Sequence, residues 1–333
     1  MPRPRFLPDN FTLLLVAVVI VATVLPCRGV WAQAFHGITT ISIGLLFFMH
    51  GAKLSREAIV AGATHWRLHL LVFACTFAMF PLLGLALRPL LGPLVTPELY
   101  VGILFMCAMP ATVQSSIAFT SMARGNVAAA VCSASASSLL GIVVSPLLVG
   151  AMLAQHGAAV SLEAFGAIVM QLLAPFAAGQ IARRWIGGWV DRHHRALGLI
   201  DRSSVLLVVY SAFSASVIEG LWRQTPAHAL VGLLLACSVL LALALLATTQ
   251  LARRLGFNRE DEIAIVFCGS KKSLSNGIAV ARVLFVGHTV GAVVLPLMLF
   301  HQIQLMVCAA LARRYAARGG APVATVDPGW NDV

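Results

Sequence analysis

Acidic side chains are scarce in this sequence, with twelve Asp and Glu among 333 residues, and only 11% of all residues are charged. A soluble domain spends about a quarter of its residues on charge to cover its surface. That shortage excludes a soluble globule. Paired cysteines are lacking too: the seven, at 27, 75, 107, 132, 237, 268 and 308, stand singly with no CxxC. They read as small buried apolar residues rather than as metal ligands or disulfide partners. A clustered basic face with stacking aromatics is also missing, so the net charge of +11 does not point to nucleic acid.

What the chain has instead is hydrocarbon. Hydrophobic residues make up 59% and the mean hydropathy is +0.91. The run Leu230–Ala247 is apolar on nearly every face, which excludes the alternating segments of a barrel and predicts membrane-spanning helices. Each span needs roughly 20 apolar residues. Ten are predicted, near 11–26, 36–52, 68–87, 98–122, 127–153, 164–182, 203–219, 228–251, 262–285 and 289–311. No small-residue cleavage site closes the first apolar run, which reads as span one rather than a signal peptide. On this division only Arg28, Arg88, Arg223 and Arg282 fall on one side, against seventeen Lys and Arg on the other. The positive-inside rule then places both termini, residues 1–10 and the Gly-, Pro- and Ala-rich tail 316–333, in the cytoplasm. That composition predicts a disordered tail.

Ten spans divide into halves of five, 11–153 and 164–311, with the boundary near Gln155–Ser161. An odd count per half inverts the second half relative to the first, as in inverted-repeat transporters. The expected fold class is therefore an all-α integral membrane protein built as a 5+5 inverted repeat. Two spans are interrupted by polar residues. The fourth contains Met109-Pro110-Ala111-Thr112-Val113-Gln114-Ser115-Ser116, where proline removes a backbone donor. The ninth contains Gly269-Ser270-Lys271-Lys272-Ser273-Leu274-Ser275-Asn276-Gly277. Such stretches survive in a bilayer only where they line a cavity or lie buried in protein.

Lys271 and Lys272 are the only deeply placed charges. Nine residues separate Glu262 at the cytoplasmic edge from Lys271, a helical rise of roughly 13 Å, near the midplane. A lysine there costs about 2.5–3.5 kcal/mol on insertion scales and defaults to a functional reading. The bland reading is a register shift that leaves both lysines in a cytoplasmic vestibule. All twelve acids sit at span edges, in loops or in the tail, so none neutralises the lysines. Hydroxyls, amides, carbonyls of the breaks or an anionic substrate are the expected partners.

Candidate binding residues are Gln114, Ser115, Ser116, Ser270, Lys271, Lys272, Ser273, Ser275 and Asn276, joined by the i, i+4 pair Ser133 and Ser137. Serines in the fifth span also suit close helix packing. Thr76, before Pro81, and Glu219, near the outer end of span seven, are second-rank candidates, and a threonine there more often bonds back to its own helix. His50, His288 and His301 lie near span ends and read as interfacial.

With these residues in view, the chain resembles the bile acid:sodium symporter superfamily, and specifically its bacterial SBF-like branch. The resemblance is carried by Leu46-Phe47-Phe48-Met49-His50-Gly51-Ala52-Lys53-Leu54, Thr112-Val113-Gln114-Ser115-Ser116-Ile117-Ala118-Phe119, Ala123-Arg124-Gly125-Asn126-Val127 and Phe267-Cys268-Gly269-Ser270-Lys271-Lys272-Ser273-Leu274. It covers roughly residues 8 to 315 and implies a multi-pass protein of the bacterial inner membrane. It also implies a panel of spans one, two, six and seven and a core of spans three to five and eight to ten. Spans four and nine cross in that core, where family members bind two sodium ions. Carried over, the ligand positions fall on Thr76, on Gln114 to Ser116 and on Ser270 to Leu274, with Gln114, Ser116 and Ser270 as sodium ligands. The sequence departs from the pattern: Ser270 aligns with an acidic residue of sodium-coupled members, and Ala130 and Ala134 with two hydroxyls. Two ammonium groups at this place oppose a sodium ion.

The function expected is secondary transport of a small organic anion, bile-acid-like, carboxylate or sulfated, by rocking of core against panel, with no cofactor beyond an optional sodium ion. Helix N-termini after each break would join the lysines in attracting the anion. A variant has one lysine ammonium standing in for the sodium ion as a tethered cation. Two other classes remain open: a membrane regulator of ion homeostasis without substrate flux, and an intramembrane hydrolase using Ser270 or Ser273 with Lys271. Neighbouring side chains about 100° apart and the absence of an oxyanion loop disfavour the enzyme.

Overall fold

The computed structural model describes residues 10–53, 65–154, 166, 169–218, 220–285 and 290–318, and every regular element among them is helical. The longer helices are α1 (Asn10–Val24), α2 (Val30–Lys53), α3 (Trp66–Ala86), α4 (Pro97–Ala108), α5 (Val113–Met122) and α6 (Val127–Ala154). They continue as α7 (Ala174–Arg192), α8 (His194–Ile218), α9 (Ala227–Arg254), α10 (Arg259–Gly269), α11 (Leu274–Leu284) and α12 (Val290–Ala317). A π turn at Cys75–Met79 interrupts α3, and another at Val169–Leu173 leads into α7.

The surface is apolar where a soluble protein would be charged. Trp31, Ile41, Trp185 and Val231 are each more than 65% exposed, while Ser116, Ser133, Lys271 and Lys272 are wholly buried. Such an inverted arrangement fits a bilayer as solvent, and the chain is a multi-pass integral membrane protein. Among the described residues, six helices (α2, α3, α6, α8, α9 and α12) are long and apolar enough to cross on their own. The pair α4–α5, bent by 63° at its break, makes a seventh by the same measure. Helix α1 contributes only the shorter apolar stretch Leu13–Val24.

Boundaries differ from expectation where charge begins. The sixth span, expected over 164–182, continues as α7 to Arg192, and α8 starts at His194 rather than near 203. Hydropathy stops at the first arginines, whereas the backbone ladder continues into the polar interface. At the C-terminus, α12 includes Ala316 and Ala317 of the expected tail. Residues 1–9, the half boundary at 155–161, Glu219, His288 and 319–333 lie outside the described residues.

Two groups of helices pack together. In the first, α2 lies along α7, and α8 packs on α1 and α2. Gly51 and Gly179 make the α2–α7 approach possible: a Cβ on Gly51 would strike the Phe176 carbonyl, and one on Gly179 the Phe48 carbonyl. In the second, α4 packs on α12, α5 on α6, and α9 on α10 and α12, while α10 touches α3, α5 and α6. The Ala123-Arg124-Gly125-Asn126 turn ties this group together. Arg124 takes a φ of 61°, and the Gly125 amide returns to the Thr120 carbonyl at 2.8 Å. Asn126 then caps α6 at the Ala129 amide and donates to the Asp261 carboxylate at 2.8 Å.

Replacing Gly179 by Leu should force α2 from α7 at about 1–3 kcal/mol of overpacking. A thermal melt of purified protein should show a lower midpoint. Gly188→Ala, where an added Cβ meets nothing within 4 Å, should leave it unchanged.

Candidate functional site

Both interruptions foreseen in the sequence are real, and they bond to each other. Helix α4 ends at Ala108 and α5 begins at Val113; α10 ends at Gly269 and α11 begins at Leu274. The Ser273 amide donates to the Pro110 carbonyl at 2.8 Å, and the Thr112 hydroxyl to the Lys272 carbonyl at 2.8 Å. Ser116 adds a third link, its hydroxyl donating to the Phe267 carbonyl at 2.9 Å.

Pro110 explains why α4 stops. Without an N–H it cannot bond the Met106 carbonyl, which is taken by the Met109 amide at 3.1 Å. The carbonyls that follow lose their helical donors and are satisfied from elsewhere. Ala108 accepts from the Ser145 hydroxyl at 2.7 Å, and the Ala111 amide finds Ser137 Oγ at 3.1 Å. Cys107 and Met109 accept from Lys272 Nζ, each at 2.8 Å.

The third acceptor of Lys272 Nζ is the Thr76 carbonyl, also at 2.8 Å. In an α-helix the Phe80 amide would take this carbonyl, but the π turn sends that amide to Cys75. In π register the donor would be residue 81, a proline. The orphan carbonyl is therefore written into the sequence. Thr76 contributes its backbone here, while its hydroxyl bonds back to the Val72 carbonyl at 2.8 Å. The Phe80 ring closes the fourth side, its centroid 4.1 Å from Nζ.

Lys271 is buried differently. Its Nζ donates to the Ser115 carbonyl at 2.8 Å, approaches Ser115 Oγ at 3.4 Å and lies 4.0 Å from the Phe119 ring centroid. Ser270 and Ser273 are turned to local backbone: Ser270 Oγ donates to the Val266 carbonyl at 2.6 Å, and Ser273 Oγ accepts from the Asn276 amide at 3.4 Å. Neither hydroxyl is bonded to the Lys271 ammonium. Gln304 of α12 holds Lys272 by its backbone, accepting from its amide and donating to its carbonyl, both at 2.9 Å. His301 Nδ1 lies 2.8 Å from Gln304 Nε2. His301 therefore belongs to this buried junction, not to the interface its span-end position suggested. Two polar residues three apart in an apolar span were the signal that could have found the pair.

Both lysines are 0% exposed, so neither opens onto a cavity. A cavity of about 200 Å³ lies instead between α2, α5, α6 and α7, with His50, Lys53, Gln114, Ser135, Ser138 and Phe176 in its wall. His50 is held by a 2.7 Å hydrogen bond between Nδ1 and the Leu46 carbonyl. Asn276 lies behind the wall, donating to Ser138 Oγ at 2.7 Å. Ser133 shares a 2.6 Å hydrogen bond with His69 Nδ1, and Ser275 borders a separate small cavity near Ile43 and Val205.

Interrupted helices joined at their breaks, embedded in apolar helices and flanked by a cavity with polar side chains in part of its wall, define a class: a multi-pass membrane transporter. Residues 9–317 match the SBF-like CPA transporter family, and the chain belongs to it. It is 68% identical over 319 residues to an uncharacterized Pseudomonas aeruginosa protein, PA2026, covering 96% of each chain. It is 57% identical over 307 residues to Escherichia coli YfeH, whose symporter designation is provisional, covering 92% of each. The mouse sodium/bile acid cotransporter 7 is 30% identical over 273 residues, covering 81% of this chain and 80% of its own.

The residues do not fit the sodium ion those names suggest. The three converging carbonyls already surround the Lys272 Nζ, whose ammonium would repel a sodium ion, while the Ser116 and Ser270 hydroxyls donate to the Phe267 and Val266 carbonyls. Ala130 and Ala134 pack in an apolar cluster with Leu68, Cys75 and Cys268. The acids of α10 lie in its first turn, where Asp261 meets Asn126 and Glu262 meets Arg253 and Tyr315.

Gln304→Leu keeps the bulk but strands the Lys272 amide. A loss of about 1–3 kcal/mol follows for one buried unpaired donor. It should appear as a lower melting midpoint in detergent without loss of helical circular dichroism.

Proposed function

We propose that this protein is a secondary transporter of a small organic anion, and that the anion binds in the cavity between α2 and α7 on one side and α5 and α6 on the other. The observation that carries the reading is the wall itself: a lysine and a histidine of α2 facing the amide of Gln114 and the hydroxyls of Ser135 and Ser138. Cationic and neutral donors converging on one space suit a carboxylate or sulfate. About 200 Å³ is below the roughly 300–1,000 Å³ of drug-sized sites, which favours a small anion over a sterol in this conformation.

In this reading α1, α2, α7 and α8 form a panel and α3 to α6 with α9 to α12 form a core, the product of a ten-span 5+5 inverted repeat. Support comes from the packing, in which each group is bound mainly within itself. The excess of cations at one set of span ends supports cytoplasmic termini in a bacterial inner membrane. Rocking of panel against core would open the cavity to either side in turn. Lys271, Lys272, Ser115, Ser116, Ser137, Ser270, Ser273 and Asn276 would act behind the site, fixing the breaks, while Gln114 meets the substrate.

The test is a thermal-shift screen of the purified protein against small carboxylates, sulfonates and sulfate esters, followed by flux of any stabilising compound in proteoliposomes. Lys53→Gln and Gln114→Ala should weaken binding about tenfold or more, the worth of one charge-assisted hydrogen bond. A stabilising anion whose affinity and flux both ignore these substitutions would overturn the assignment of the cavity.

A further inference from the structure

Lys272 is fully buried and holds its ammonium against three backbone carbonyls at equal distance, those of Thr76, Cys107 and Met109, with an aromatic face completing the enclosure. Three carbonyl acceptors at 2.8 Å match the three N–H donors of an ammonium, where an amine would offer two. The carbonyls come from α3 and from the end of α4, two chain segments that owe their free acceptors to Pro81 and Pro110. The two segments are also joined without the lysine, the Tyr100 hydroxyl of α4 donating to the Gly84 carbonyl of α3 at 3.0 Å. An oxygen cage of this kind, walled by Phe80 and free of hydroxyl or carboxyl ligands, is built for a single monovalent cation.

We propose that the Thr76, Cys107 and Met109 carbonyls form a cation site permanently filled by the chain's own Lys272, so that the protein works with a tethered cation and without sodium. The ammonium cannot be lost to solvent, because it is covalently tethered and fully buried, and Gln304 holds the Lys272 backbone at both its amide and its carbonyl. Lys271 does not share the role: only one residue, Ser115, offers it oxygens, the carbonyl at 2.8 Å and the hydroxyl at 3.4 Å, and the rings of Phe119 and Phe267 take the other sides. The inference does not depend on which solute the α2–α5 cavity takes.

The test uses full-length protein in detergent and needs no substrate. Melting midpoints of wild type, Lys271→Ala, Lys272→Ala and Lys272→Met are compared in sodium, ammonium, methylammonium and choline chlorides at equal ionic strength. Wild type should melt alike in sodium and choline. Lys272→Ala, which empties the cage, should melt several degrees lower in choline and recover saturably with ammonium or methylammonium. Lys271→Ala, and Lys272→Met with its apolar chain still in the cage, should show no such recovery. A folded Lys272→Ala indifferent to every small cation would overturn the cage. A second arm needs no variant: equilibrium dialysis of wild type against radioactive sodium should give no retention beyond the choline-competed background. Saturable retention by wild type would overturn the proposal.

Discussion

The Lys272 ammonium and its three carbonyls are the contact on which the rest of the core depends. A helix broken inside hydrocarbon leaves carbonyls that water cannot reach, and each orphan costs on the order of a few kcal/mol. Here the cost is distributed: Met109, Ser145, Lys272 and Ser273 between them satisfy the carbonyls from Met106 to Pro110. One side chain from α10–α11 thereby closes defects in both α3 and α4. A hydrogen bond to a charged group contributes about 1.5–3 kcal/mol, so three of them offset much of the burial of the charge.

Rigidity follows from that arrangement. Helices α3, α4, α5, α10 and α12 all bond to the segment 270–273 or to its lysines, so none can move far without exposing a polar group. The α2–α7 pair is bound by a different means, the close backbone approach at Gly51 and Gly179. Two stiff bodies with different internal bonding meet across the cavity that holds Lys53 and Gln114. Motion concentrated at that seam would cost the least, and the proposed alternating access needs motion of that kind.

Much of this was legible in the residues. Pro110 and the Gly269–Gly277 run marked the two breaks, and the missing acids foretold that the lysines would find neutral partners. The particular partners were not legible, because a ligand set of backbone carbonyls leaves no side-chain signature. Thr76 drew notice for its hydroxyl, yet the chemistry lies in its carbonyl, freed by a π turn whose only trace is Pro81. The deep lysines also looked like the substrate's partners, since depth was read from helical rise while direction was not. His50 sits where hydropathy marks a helix end and so read as interfacial, although packing against α5, α6 and α7 makes it and Lys53 line a cavity.

The two positive features are linked through one short stretch of backbone. Lys272 receives the Thr112 hydroxyl on its carbonyl, and Lys271 takes the Ser115 carbonyl, so the first turn of α5 is pinned on both sides of Gln114. Gln114 faces the cavity because its neighbours are held from behind. In the proposed reading a lysine ammonium behind that turn adds to the field of Lys53 in front of it, and low surrounding polarity lets both act at longer range than in water. An anion bound where we propose, between α2 and α5, would meet positive potential from both walls. A core neutralised by an aspartate or glutamate would lack that property, and the scarcity of acid in the sequence gains a physical reason.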